Sequence, residues 1–176
     1  FPSPTLRKII DQESLFLKLK RKERRATFAN ALSEYYFKRY GERISATART
    51  QRAADIAPRM LEDLSAHRAV SHDLENQFLR EMAQDVPLFT VEQSAHILAQ
   101  LTREHHLTLF EFILSDRAGH AQDLQFAVEI VNKLDLFLNQ VLALLDLSES
   151  TVILVSDHGN LEDLSVKTHT RNPVPT

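Results

Sequence analysis

The spacing of apolar residues predicts two well-defined helices in the second half of the chain. Thr90 begins the first, because Gln93 follows three residues later in a capping-box pattern. The second runs from Asp123 to Leu145, where apolar residues recur at helical spacing over about six turns. Its apolar stripe consists of Leu124, Val128, Val131, Leu134, Leu138, Val141 and Leu145.

Continuous apolar runs predict buried strands on either side of that long helix. The run Leu107–Leu114 is rich in aromatic and aliphatic residues, as is typical of a strand covered on both faces. Thr151–Val155 is a second such run, and Ala26–Ala31 is a third candidate. Two strands joined by a long crossover helix are parallel neighbours with a right-handed connection. The pattern therefore predicts an α/β fold, a three-layer α/β/α sandwich with a mostly parallel sheet.

Length, composition and charge limit the classes of protein to consider. The chain has 176 residues, 43% hydrophobic and 26% charged, so we expect one globular domain over 1–176, with 41–89 as a helical insertion or connector. The net charge of -3 argues against nucleic-acid binding, and we interpret the basic run Lys18–Arg25 as a solvated helix end. The absence of cysteine fits a cytoplasmic protein. No apolar run is long enough to span a bilayer and no signal peptide is visible, so we expect no membrane partner.

Both strands that flank the long helix end in Ser-Asp, and histidines follow each of them. Parallel neighbours bring their carboxyl ends to one edge of a sheet, so Asp116 and Asp157 are expected to lie close together. His120 follows the first strand, His158 follows the second, and His169 returns from the next loop. Carboxylates and imidazoles are ligands for divalent ions such as Mn²⁺ and Zn²⁺. The sequence therefore predicts a metal site.

Glycine accompanies both clusters, but other interpretations of these residues exist. Gly119 and Gly159 would let the backbone approach an ion closely. Asp and Ser at strand ends also cap the helices that follow them. A Ser-His-Asp hydrolase built on Ser156 is a further alternative, although the chain has no Gly-x-Ser-x-Gly elbow.

Three motifs resemble the metal motifs of the alkaline phosphatase superfamily. They are Asp116-Arg117-Ala118-Gly119-His120, then Ser156-Asp157-His158-Gly159-Asn160 with Glu162, then His169-Thr170 with Asn172-Pro173-Val174-Pro175. The closest branch is cofactor-independent phosphoglycerate mutase with its shorter metalloenzyme relatives. Motif order and approximate spacing agree from Thr90 to the end of the chain. The resemblance implies an alkaline phosphatase-like fold, present in part.

In that family two divalent ions, Mn²⁺ or Zn²⁺, lie side by side at the carboxyl ends of a parallel sheet. Carried over by motif, Asp116, His120 and His169 would hold one ion, and Asp157 and His158 would help to hold the other. The family completes the second ion with an upstream Asp and a Ser or Thr nucleophile, and we identify neither in this sequence. We therefore expect an N-terminally truncated chain that binds one ion or none and has no catalytic nucleophile.

The resemblance implies a phosphatase or phosphomutase acting on a small phosphate monoester. Glu162 and Asp163 are predicted to accept hydrogen bonds from the chelated histidines. Arg43, Arg49 and Arg52 are predicted phosphate contacts because guanidinium groups pair with phosphate oxygens, with a solvated connector as the alternative. Two other functions stay open: a non-catalytic domain that keeps its metal site for stability or binding, and a sulfatase- or esterase-type hydrolase using the same ions.

Overall fold

The computed structural model describes residues 1–174. In chain order its elements are α1 (Pro4–Gln12), α2 (Leu15–Arg21), β1 (Ala26–Phe28), α3 (Glu34–Tyr40), α4 (Ala46–Ala53), α5 (Leu61–Ser65), α6 (Gln77–Glu81), α7 (Val91–Glu104), β2 (Leu107–Leu109), α8 (Leu114–Ala121) and α9 (Leu124–Leu144). No helix within residues 1–174 has the length and apolar character needed to cross a membrane.

The sheet is parallel, as the sequence predicts. β1 pairs with β2, and Thr27 lies opposite Thr108 in the register. Isolated parallel bridges beyond β1 join Asn30 to Val70 and Leu32 to Met60. Helices α2, α4 and α7 pack against this short sheet, so the α/β class is confirmed in the partial alkaline phosphatase-like form that was expected. Residues 41–89 contain α4, α5 and α6, and their assignment as an insertion or connector stays a prediction.

Side-chain caps explain where many of the helices begin. A serine hydroxyl accepts a hydrogen bond from the backbone N–H three residues later at four helix starts, which satisfies one otherwise unpaired donor each time. These serines are Ser3, Ser14, Ser33 and Ser45. The capping box at α7 is confirmed, since Thr90 Oγ1 accepts from the Gln93 amide at 3.2 Å and Gln93 Oε1 accepts from the Thr90 amide at 2.8 Å.

The long helix α9 supports both the core and the candidate site. It spans 21 residues and is capped by Asp123, which confirms the helix predicted from the apolar stripe. Phe137 and Val141 pack into the main core together with residues of α7. Nearer its N-terminus, Ala127 and Ile130 pack against α8. This second contact anchors the helix that carries the first metal motif.

The predicted strand Leu107–Leu114 is shorter than expected. Only Leu107–Leu109 pairs with β1, and α8 begins at Leu114. The fully buried Asn30 ends the ladder, because its side-chain amide donates to the Glu111 carbonyl oxygen at 2.9 Å and accepts from the Glu111 amide at 2.8 Å. A side chain therefore satisfies the backbone groups that a longer strand would have paired.

The prediction of a buried strand at Thr151–Val155 is wrong for the described structure. The segment makes no backbone pairing within residues 1–174, and Ile153 is 77% exposed. An apolar run becomes a buried strand only where neighbouring elements cover both of its faces, and none within residues 1–174 does so here. The predicted crossover from Leu107–Leu114 through α9 into a parallel partner is therefore not observed.

Candidate metal centre

Two residues of the first metal motif lie on one face of α8. Asp116 and His120 are four residues apart, which places their side chains together on a helix. The Nε2 atom of His120 lies 3.4 Å from Asp116 Oδ1. His169 arrives from the loop that follows the second motif, and its Nε2 atom lies 3.2 Å from the same oxygen. One ligand atom from each of the three residues lies within 4.8 Å of the others.

The second motif brings a third imidazole to this group. His158 Nε2 lies 4.0 Å from Asp116 Oδ1, and the His158 ring stacks on that of His169 with centroids 3.6 Å apart. The Asp157 carboxylate lies 3.6 Å from His158 Nε2, and the Asp157 side chain is 89% exposed. The structure therefore brings four predicted ligands together and leaves Asp157 at the solvent-facing side. Pro175, the last residue of the third motif, lies outside the described residues.

A backbone carbonyl orients His120. The Lys167 carbonyl oxygen lies 2.7 Å from His120 Nδ1, and a carbonyl oxygen can only accept a hydrogen bond. Nδ1 therefore carries a proton, so in the neutral ring Nε2, which faces Asp116, is the nitrogen available to a metal ion. Metal-binding histidines in proteins are usually oriented in this way.

A short loop contact fixes the position of His169. Thr170, the next residue, forms an antiparallel bridge with Gly159. Glu162 accepts hydrogen bonds from the Thr170 hydroxyl, from Asn172 Nδ2 at 3.1 Å and from the Asn160 amide at 2.6 Å. These bonds, that of Thr170 first, lower the pKa of Glu162 to about 2. We name the loop 159–172 closed by these contacts the His169 clip.

The structure gives the two acidic residues of this loop a role different from the one predicted. Glu162 closes the His169 clip, as described above, and Asp163 accepts from the amide of Ser165 at 3.1 Å and from its hydroxyl at 2.6 Å. Neither carboxylate is hydrogen-bonded to a histidine ring within residues 1–174. The Lys167 carbonyl oxygen occupies the predicted acceptor role at His120.

The three arginines predicted to contact phosphate belong to or border α4. Arg49 pairs with Asp11 at 2.8 Å and 2.5 Å and so joins α4 to α1. Arg52 pairs with Glu42 at 3.2 Å and 2.9 Å. Arg43 is exposed and makes no ion pair within the described chain. Their role as phosphate contacts stays a prediction.

Two residues with no role predicted from the sequence lie at or near the candidate site. Asn160 Nδ2 donates to Asp116 Oδ1 at 2.8 Å and to the Asp116 carbonyl oxygen at 3.0 Å. Glu111, which follows β2, is half-buried, and burial raises its pKa; the hydroxyl of Thr47 opposes this shift, and the charge of Asp157 adds to it. The place of Asn160 at the end of the second motif was its one signal in the sequence, and Glu111 gave none.

The residues present fit a divalent ion. Two imidazole nitrogens and one carboxylate oxygen form the donor set of Asp116, His120 and His169, with a third imidazole beside it. Zn²⁺ accepts both donor types in a tetrahedral arrangement, and Mn²⁺ accepts them with more oxygen ligands. An α/β domain with such a cluster has the character of a metalloenzyme domain.

Comparison with known proteins gives the family. A family model described as the Metalloenzyme superfamily matches residues 86–176, which is more than half of the chain, so the chain belongs to the metalloenzyme superfamily. A 77-residue stretch is 32% identical to the 2,3-bisphosphoglycerate-independent phosphoglycerate mutase of Synechocystis sp. (strain ATCC 27184 / PCC 6803 / Kazusa), over 40% of this chain and 14% of that protein.

A second relative carries the same description. The 2,3-bisphosphoglycerate-independent phosphoglycerate mutase of Legionella pneumophila (strain Paris) is 27% identical over 97 residues, which cover 48% of this chain and 19% of that protein. The matched stretches thus span less than a fifth of these relatives' own length. No solved structure gave a significant match.

Proposed function

We propose that this chain supplies metal ligands to a divalent-metal-dependent phosphoryl-transfer site, of the phosphatase or phosphomutase kind, that acts on a small phosphate monoester. The convergence of His120 Nε2 and His169 Nε2 on Asp116 Oδ1 carries the proposal. Membership of the metalloenzyme superfamily and the similarity to two phosphoglycerate mutases support it.

Each ligand has an assigned role in the proposal. Asp116, His120 and His169 hold one Mn²⁺ or Zn²⁺ ion, and Asp157 and His158 contribute to a second. Bound divalent ions neutralise charge on phosphoryl oxygens and lower the pKa of a coordinated hydroxyl or water. The protein's own contribution is to turn His120 Nε2 towards the site through the Lys167 carbonyl oxygen and to place the Asp116 carboxylate beside His120 and His169.

The arginines differ in their availability for the substrate. Arg49 and Arg52 are engaged with carboxylates, so a phosphate group would have to compete with Asp11 and Glu42 for them. The exposed Arg43 has no such competitor within residues 1–174. We therefore propose Arg43 as the first of the three to test for phosphate contact, by comparing phosphate affinity in Arg43→Ala and in the wild-type chain.

Metal content tests the ligand assignment. Elemental analysis of chain purified without chelators is expected to find one tightly bound divalent ion, which is lost in Asp116→Ala and in His120→Ala. His96→Ala is a matched control, since His96 is an exposed histidine of α7 outside the site. Wild-type chain without any bound divalent metal would overturn the proposal.

Phosphate binding separates the proposed function from its alternatives. Calorimetry is expected to detect binding of inorganic phosphate to metal-loaded chain and not to chelator-treated chain. Metal binding without any phosphate binding would instead favour the non-catalytic alternative, and preferential sulfate binding would favour the sulfatase-type one. We expect negligible turnover of an aryl phosphate with added Mn²⁺, because no nucleophile is identified; robust turnover would contradict that part of the proposal.

A further inference from the structure

Asn160 is buried against α8 and hydrogen-bonded to the candidate metal ligand Asp116. It is 4% exposed, and its Nδ2 atom donates to both the side chain and the main chain of Asp116. Both partners are oxygen acceptors, so the amide nitrogen must face them and the orientation of the side chain is settled. The amide is therefore hydrogen-bonded to Asp116 at two points.

The oxygen that Asn160 holds is the one around which the imidazoles gather. Asp116 Oδ1 lies 2.8 Å from Asn160 Nδ2 and is also the oxygen nearest to His120 Nε2 and His169 Nε2. A free carboxylate rotates about its last side-chain bond and exchanges its two oxygens. A hydrogen bond to one oxygen stops that exchange and fixes which oxygen faces the histidines.

Gly119 makes room for this arrangement. A Cβ atom built at Gly119 would lie 2.5 Å from Asn160 Cγ and 2.9 Å from its Nδ2 atom, which is far closer than van der Waals contact allows. Gly119 lies inside α8, where alanine is the better helix former. Glycine is therefore unfavourable for the helix itself, and the packing of the Asn160 amide accounts for its presence.

We propose that Asn160, which packs against Gly119, is a positioning residue that acts on metal binding through Asp116. The inference rests on the proposed metal site and deepens it. Asn160 does not need to touch the ion; its amide fixes the carboxylate before the ion arrives, so that binding need not order that side chain.

The test compares Asn160→Ala with Asn139→Ala. Asn139 lies on the exposed face of α9 and also donates to a carboxylate, that of Asp135 at 3.1 Å, so the control removes the same type of bond away from the site. Titration with Mn²⁺ is expected to show an affinity loss of about tenfold or more in Asn160→Ala and no loss in Asn139→Ala.

Comparing two metals separates positioning from general damage. Mn²⁺ depends more on oxygen ligands and Zn²⁺ more on imidazole, so a defect that acts through Asp116 should weaken Mn²⁺ binding by a larger factor than Zn²⁺ binding. A general loosening of the fold would lower both affinities by the same factor, and that result would overturn the inference.

Gly119→Ala provides a second, independent variant. We expect it to weaken Mn²⁺ binding as Asn160→Ala does, because the added methyl group displaces the amide. The double variant Gly119→Ala/Asn160→Ala should bind Mn²⁺ no more weakly than Asn160→Ala alone, since the methyl group then enters space the amide has left. Additive losses would contradict the shared mechanism.

The outcomes also distinguish this inference from the proposed function. Wild-type chain that binds no metal would overturn both. Wild-type binding that is unchanged in Asn160→Ala would overturn the positioning role alone and leave the metal site standing.

Discussion

Thr170 pairs with Gly159 in an antiparallel bridge, in which the Thr170 amide donates to the Gly159 carbonyl oxygen at 2.9 Å. His169 immediately precedes Thr170, so the bridge fixes the point from which its imidazole reaches Asp116. A Cβ atom at Gly159 would lie 2.6 Å from Glu162 Oε1 and closer still to Thr170 Oγ1. This close approach requires glycine.

Replacing Gly159 should therefore open the His169 clip. We expect Gly159→Ala to lower divalent-metal affinity about tenfold, because His169 loses its fixed position, and to increase proteolytic cleavage within 159–172. Calorimetric titration and limited proteolysis measure the two effects. Ser165→Ala changes the same loop without touching the bridge and should leave both unchanged; equal effects in the two variants would contradict this explanation.

Acid should weaken the His169 clip through Glu162. The pKa of Glu162 is lowered to about 2 from an ordinary 4.5, so its contribution to stability is complete above about pH 4.5 and is lost as pH falls through about 2. Glu162→Gln removes the titrating group and should flatten the dependence of unfolding free energy on pH in that window. Denaturant unfolding at a series of acid pH values measures it. A variant with the same slope as the wild-type chain would show that Glu162 is not responsible.

His72 should make the fold sensitive to milder acid. Burial lowers its pKa to about 4 from an ordinary 6.5, so the unfolded chain binds the proton first as the pH falls. The contribution of neutral His72 to the unfolding free energy is therefore complete above about pH 6.5. It is lost as the pH falls towards about 4, which lowers that free energy by about 2 to 3 kcal/mol. In His72→Leu the unfolding free energy should vary less over this range. Nuclear magnetic resonance titration of His72 gives an independent check, since a pKa near 6.5 would refute the prediction.

Asn30 should be the strongest single polar contributor to the sheet edge. Its amide is fully buried and makes both hydrogen bonds to the Glu111 backbone, so Asn30→Ala leaves the partly buried amide and carbonyl oxygen of Glu111 without these partners. We expect a loss of about 2 kcal/mol and a fall in the thermal midpoint of about 4 to 8 °C. The exposed Asn139→Ala should change stability by no more than about 0.5 kcal/mol. A similar small change in Asn30→Ala would show that water replaces the lost bonds.

Local sequence rules predicted the elements whose formation depends on neighbouring residues in the chain. The capping box of Thr90 and the apolar stripe of α9 both depend on spacings of three or four residues, and both were confirmed. Asp116 and His120 were correctly predicted to lie together, although they meet on a helix instead of at a strand end. A spacing of four residues brings side chains together in a helix whichever element precedes it.

The features that the sequence did not reveal depend on contacts between distant segments. The apolar composition of Thr151–Val155 is that of a buried strand, but burial is decided by what lies beside it. The role of Asn160 depends on its approach to Gly119, and no spacing rule describes a contact between a loop and a distant helix. The predicted strand Leu107–Leu114 ends early because of Asn30, which is also distant in the chain from the Glu111 backbone that it contacts.

Because the segment Thr151–Val155 is exposed, the ligands of the two proposed ions are ordered to different degrees before binding. The first finds Asp116, His120 and His169 already held by Asn160, the Lys167 carbonyl oxygen and the His169 clip. The second must immobilise Asp157 at the end of a segment whose backbone groups are unpaired within residues 1–174, and that ordering opposes binding. A partner that paired with this backbone would raise the affinity for the second ion without contacting the ion. By thermodynamic reciprocity, the second ion would strengthen that pairing by the same factor.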